Sequence, residues 1–126
     1  MLGDHPVDIV LLAVDLDTSK AFYSNKVGLT VLNDSPGAVV FHCGGDSRLV
    51  LSKSTVGTKD EQTQASFRVG DLRAELAELR SRGVKIEDYD MPGLKTEDGV
   101  ADIGFAWMAW FLDPGQNCVG MMQLKT

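Results

Sequence analysis

The chain has 126 residues, of which 44% are hydrophobic and 24% charged, and its net charge is −6. That length suits a single domain with its own core. The negative balance argues against nucleic acid, which attracts basic surfaces, and no apolar run approaches the ~20 residues of a membrane helix. Cys43 and Cys118 have no metal or redox spacing, and the acidic opening MLGDHPVD carries no cationic leader signature, so a reduced, cytoplasmic protein is expected.

In chain order, Ile9–Val14 reads as a buried strand. Asp15 or Asp17 then caps a helix, because a short carboxylate accepts from the first free backbone amides. This helix is predicted to reach about Lys26, with Ala21 and Phe22 on its apolar side, and to stop at Gly28. Strands come next over Leu29–Asn33, Ala38–Cys43 and Leu49–Lys53, divided by the turn signals Asp34-Ser35-Pro36-Gly37 and Gly44-Gly45-Asp46. Residues 54–63 are polar and read as a linker. From Gln64 to Val69 the chain alternates, with Ala65, Phe67 and Val69 on one face and Gln64, Ser66 and Arg68 on the other. Leu72, Leu76 and Leu79 give helical spacing to Asp71–Arg82, and Gly83 ends it. A short strand over 84–87, a Gly- and Pro-bearing loop over 88–104 and two closing strands, Phe105–Leu112 and Cys118–Leu124, complete the reading.

Two stretches repeat each other. With Asp15 set on Asp71, Asp8–Val31 and Gln64–Ile86 share an apolar run, a helix, a glycine (Gly28, Gly83) and a second apolar run. One supersecondary unit used twice is the direct implication. The expected fold class is α+β: two tandem βαβββ units forming curved mixed sheets around a cavity, in one domain over 1–126. Repeat one covers about 8–53, the linker 54–63 and repeat two about 64–124. Closure of the cavity within one chain or across a homodimer is left open, and sheet edges needing cover favour the homodimer.

Three stretches carry a resemblance that spans nearly the whole chain: VDLDTSKAFYSNKVGL, VGDLRAELAELRSRGV and the closing hairpin WFLDPGQNCVGMMQ. They resemble the vicinal-oxygen-chelate superfamily, which holds lactoylglutathione lyases, bleomycin-binding resistance proteins, fosfomycin-resistance transferases, methylmalonyl-CoA epimerases and extradiol dioxygenases. The resemblance implies the paired βαβββ fold. For the enzymes it also implies a divalent metal, bound seven residues before each helix-opening Asp and in the final strand. Those corners fall here on Asp8, Gln64 and Gly120. One carboxylate, one amide and a glycine are a poor set for a catalytic metal, which usually needs three protein ligands. The metal site therefore reads as vacant, with no cofactor.

Nothing else in the sequence assembles a catalytic group. His5 lies in the lead-in, and His42 beside Cys43 reads as a satisfied strand histidine. By strand parity the inner face should carry Asp8, Val10 and Leu12, then Gln64, Ser66 and Arg68, and finally Cys118, Gly120 and Met122. Trp107 and Trp110, three apart on one strand, must face opposite ways, placing one tryptophan at the cavity. The acidic stretch Glu87, Asp88, Asp90, Glu97, Asp98 and Asp102, offset by Lys95 alone, reads as a solvated loop that could also draw a cation.

The leading expectation is thus a metal-free, bleomycin-resistance-type binding protein that sequesters a small organic compound, aromatic or cationic, with no nucleic-acid or membrane partner. The alternatives are a lyase, isomerase or epimerase using Asp8 with Gln64, and a ligand-free structural dimer whose cavity is plugged by Met91, Leu94 or Met122.

Overall fold

The computed structural model describes residues 1–59 and 62–125; Asp60 and Glu61, in the expected linker, lie outside the described residues. The chain is α+β with two mixed sheets and few helices. It divides into two compact units, residues 1–59 with Pro114–Asn117, and residues 62–113 with 118–125. Among the described residues no helix is long and apolar enough to cross a membrane.

The first unit runs β1 (Asp8–Ala13), α1 (Leu16–Ala21), β2 (Thr30–Ser35), β3 (Ala38–His42) and β4 (Arg48–Lys53). Of the two capping candidates it is Asp15 that caps α1, accepting from the Thr18 amide at 3.0 Å. The helix continues as a π turn over Phe22–Val27 and ends at Gly28, whose φ of 85° suits a residue without Cβ. Its buried side is Ser19 and Tyr23, one turn apart, while Ala21 is exposed and Phe22 half-buried. The inward side is set by Tyr23, whose ring stands 6.0 Å from that of Phe41 on β3. The sheet order is β1-β4-β3-β2, with β1 parallel to β4 and the other pairs antiparallel. Leu11, Ala13, Val39, Phe41, Leu49 and Leu51 form its core. Each large side chain buried there contributes about 1.5–3 kcal/mol.

Pro114–Asn117 closes this unit. Asn117 is 1% exposed; its Nδ2 donates to the Leu12 carbonyl at 2.8 Å and its Oδ1 accepts from the Thr58 hydroxyl. A Cβ on Gly115 would stand 2.5 Å from the same Leu12 carbonyl, so backbone passes there only as glycine.

The second unit holds β5 (Thr63–Arg68), α2 (Leu72–Ser81), β6 (Asp90–Met91), β7 (Leu94–Glu97), β8 (Val100–Asp102), β9 (Ala106–Leu112) and β10 (Cys118–Leu124). Its order is β5-β10-β9-β8-β7-β6, with β5 parallel to β10. Asp71 caps α2 by accepting from the Ala74 amide at 3.1 Å, and Gln123 on β10 accepts from the Leu72 amide at 2.8 Å. Leu72, Leu76 and Leu79 bury the helix face over β9 and β10, where Ala109, Phe111, Val119 and Met121 are all buried.

Two local expectations fail in this unit. Residues 84–89 form no strand, although the Glu87 amide donates to the Trp110 carbonyl at 2.8 Å. The expected loop over 88–104 contains three short strands instead. Asp98 (φ 52°) and Gly99 (φ 81°) make a two-residue turn between β7 and β8, the primed geometry that matches strand twist. Asp88 fastens the segment, its Oδ1 accepting from the Thr96 hydroxyl at 3.0 Å and the Gly99 amide at 2.9 Å.

Candidate functional site

Each sheet has a helix-covered face and a second face, and the second faces differ. In the first sheet, register sets three rows across that second face. Asp8, Arg48, His42 and Thr30 form the first; Val10, Val50, Val40 and Asn33 the second; Leu12, Ser52, Ala38 and Ser35 the third. Val10 is 58% exposed and Leu12 37%. A polar row thus borders an apolar one of three valines, a combination suited to holding the body and one polar end of an organic molecule.

The polar row is organised by one ion pair. Arg48 Nε donates to Asp8 Oδ1 at 3.1 Å and Nη2 to Oδ2 at 2.8 Å, a bidentate fork between parallel strands. These hydrogen bonds hold the Asp8 carboxyl below its ordinary range, slight burial working the other way, and hold the guanidinium in its charged form. His42 sits beside Arg48 on β3, exposed, with no partner for its ring among the described residues. It is not the satisfied strand histidine that the sequence suggested.

In the second sheet the corresponding face is filled from within. Trp110 is 7% exposed; its Nε1 donates to the Thr63 hydroxyl at 3.1 Å, and the Tyr89 ring meets it edge-on at 5.6 Å. Tyr89, Leu94 and Met108 pack against the buried cluster of Ala101, Trp110 and Cys118. Leu94 is one of the three residues named for a plugged cavity. Ser66 and Arg68 stay exposed on β5, beside Gly120 and the half-buried Met122. Trp107 and Trp110 do face opposite ways: Trp107 pairs with Gln123 on the helix side, with Lys125 Nζ 5.0 Å from its ring.

The three expected metal corners do not fit a metal. Both carboxylate oxygens of Asp8 are engaged by Arg48. Gln64 falls at a register shift in the β5–β10 ladder, where Thr63 faces Cys118 and Ala65 faces Val119, and its Oε1 accepts from the Cys118 amide at 2.6 Å. Gly120 has no ligand atom, and a Cβ there would meet Met108 Cε and Ser66 Oγ at 3.3 Å and Thr63 Cγ2 at 3.4 Å. A side chain there would press tightly on these neighbours, so the glycine leaves little open room. Among the described residues no group of three or more His, Cys, Asp or Glu could hold a metal ion.

A depression of about 770 Å³ also lies on the first unit, lined by Val14, Asp15, Leu16, Asp17, Asp34, Ser35, Pro36 and Lys53. None of the expected ligand residues borders it. Two of its three carboxylates are otherwise employed: Asp15 caps α1 and Asp34 pairs with Lys20.

Of the ten ligand-site residues read from sequence, then, Asp8, Val10 and Leu12 share one face of the first sheet. Ser66, Arg68, Trp110, Gly120 and Met122 share one face of the second, while Gln64 is drawn into the ladder and Trp107 lies on the helix side. Arg48 is absent from the residues expected at the site, and His42 enters the sequence reading only as a satisfied strand histidine. The signal was present, since both share strand parity with inward-facing valines, but only the pairing of β1 with β4 shows that Arg48 meets Asp8.

The family model of the Glyoxalase/Bleomycin resistance protein/Dioxygenase superfamily matches residues 5–119. Among solved structures, a glyoxalase/bleomycin resistance protein/dioxygenase from Alicyclobacillus acidocaldarius superposes with a TM-score of 0.73 at 17% identity, covering 98% of this chain and 93% of that one. TnmS3, an antibiotic binding protein from a Streptomyces species, gives 0.66 at 24% identity and covers 96% of each chain. A lactoylglutathione lyase from Agrobacterium tumefaciens gives 0.64 at 23%, covering 93% of this chain and 91% of that one. These likenesses establish the fold. Among curated proteins none matches the chain.

Proposed function

The chain belongs to the glyoxalase/bleomycin resistance protein/dioxygenase superfamily, and on that premise we propose that it is a small-molecule-binding protein that sequesters an organic compound without a metal. The observation that carries this reading is the uncovered face of the first sheet, where Val10, Leu12, Val40 and Val50 adjoin the Asp8–Arg48 pair. A folded protein gains nothing in stability by leaving such a strip in water, and apolar surface rimmed by polar groups marks interaction sites. One structural relative is named as an antibiotic binding protein, which agrees with sequestration of a drug-like compound as a resistance function.

The enzymatic alternative finds less support. It needs Asp8 as a base, and a carboxylate held below its ordinary range by two hydrogen bonds from Arg48 is a weak one. Our reading further takes the protein as a cytoplasmic homodimer. Phe105, 65% exposed, and Ile103, 36% exposed, offer apolar surface outside the binding face that a second copy would cover. Sedimentation at micromolar concentration checks that point, a strictly monomeric species removing it.

The test of the binding reading uses the neutral fluorescent reporter N-phenyl-1-naphthylamine. The wild-type protein is expected to bind it and enhance its emission, whereas Val10→Asp and Val50→Asp abolish the enhancement while circular dichroism stays unchanged. Undiminished emission in both variants removes this face as the site.

A further inference from the structure

We propose that the free edge of Arg48, together with His42, recognises a carboxylate on the ligand, so that the bound compound is a hydrophobic organic acid. This rests on the reading that the uncovered face of the first sheet holds a ligand, and it goes on to name the ligand's polar end.

Part of the Arg48 donor set is already engaged. Asp8 takes Nε–H and one Nη2–H of the guanidinium, the side-on approach. A guanidinium carries five N–H donors, and the remaining ones lie on the Nη1/Nη2 edge with no partner among the described residues. The Arg48 side chain is 48% exposed, so that edge is accessible. Asp8 also fixes its orientation, since a fork bound on one side loses most of the rotamer freedom that a second partner would otherwise have to remove. Arginine held this way offers two parallel donors to a planar acceptor, and a carboxylate matches that spacing.

Three neighbours define the rest of the ligand. His42, directly across from Arg48, adds a further unpaired polar ring on the same row, with Thr30 beyond it. Val10, Val50 and Val40 in the next row present hydrocarbon, with Asn33 at its far end, and beyond them Leu12 and Ala38 flank Ser52. A flat or extended apolar body lying along the valines with its acid group toward β4 satisfies both rows. A cationic head group would instead meet a carboxylate already neutralised by Arg48.

The probes are naphthalene-2-carboxylate and its uncharged amide, titrated into isotope-labelled full-length protein and followed by the amide resonances of Val10, Val40 and Val50. The carboxylate is expected to bind about tenfold more tightly, in line with a charge-assisted hydrogen bond replacing a neutral one. Arg48→Met should bring the two affinities together by weakening the acid alone, and Arg48→Lys, which keeps the charge but not the fork, should recover only part of the difference. Equal affinities in the wild-type protein overturn the carboxylate assignment and leave the apolar face standing as a site. Neither probe moving those three resonances overturns the binding face itself.

Discussion

On the first sheet the face away from α1 leaves Val10 58% and Leu12 37% exposed, whereas the second sheet's face away from α2 buries Trp110 to 7% beneath Tyr89 and Leu94. The two sheets come from stretches of one chain with a shared plan, and they diverge in the path the chain takes once each helix ends. After α1 and its π turn the chain runs through β2, β3 and β4 with no further strand inserted. After α2 it inserts residues 84–89 and the short strands β6, β7 and β8, which bring Tyr89 and Leu94 onto Trp110. One copy of the duplicated unit thus packs its second face, and the other leaves it open to the ligand proposed above.

This contrast can be broken most strongly at Trp110. Trp110→Ala should lower stability by about 3–5 kcal/mol, the cost of deleting a large buried aromatic, as read from urea unfolding. A loss below 1 kcal/mol would mean the second face is as bare as the first. Next in size, Asn117→Ala removes the hydrogen bonds to the Leu12 carbonyl and the Thr58 hydroxyl from a buried position and should cost about 1–3 kcal/mol, a comparable loss on the first unit that does not involve its open face. Tyr89→Leu removes the edge-on ring pairing with Trp110, which is worth about 0.5–1.5 kcal/mol. At the bottom of the scale, Val10→Thr should stay within about 0.5 kcal/mol of wild type, as exposed positions do, yet weaken binding of the neutral reporter. A large unfolding penalty at Val10 would show that the strip is structural.

The ion pair sharpens the same comparison through pH. The folded Asp8 carboxyl titrates below its ordinary 3.8, so the pair's contribution is fully present above that value and is lost as pH falls through the lower folded value. Carbon-13 titration of the Asp8 carboxyl should show it more than half ionised at pH 3.8, and Arg48→Met should return it toward the ordinary value. A midpoint at or above 3.8 in the native protein would contradict the bidentate pairing.

Much of the fold is legible in local sequence because its signals act within a few residues. Asp15 and Asp71 cap their helices, Gly28 and Gly83 end them in the left-handed conformation, and Leu72, Leu76 and Leu79 show the buried stripe of α2. The opposed tryptophans come from strand parity alone. The β7–β8 turn was equally local, since Asp98-Gly99 is a hairpin dipeptide, but the surrounding charge and glycine content masked it. Other features depend on pairing and were beyond local reading. Gln64 leaves the alternation because the β5–β10 register slips by one residue, and Arg48 meets Asp8 across 40 positions through a parallel pair. The residues of most interest at the candidate site belong to this second class.

The central claim, that the first sheet's open face is the one used for binding, is tested most directly by mapping a neutral aromatic probe, naphthalene, on the protein by amide chemical-shift perturbation. Shifts are expected to concentrate on Val10, Leu12, Val40 and Val50, with Ser66, Met108 and Trp110 unmoved. Shifts centred on Ser66, Met122 and Trp110, with the first sheet silent, would contradict it.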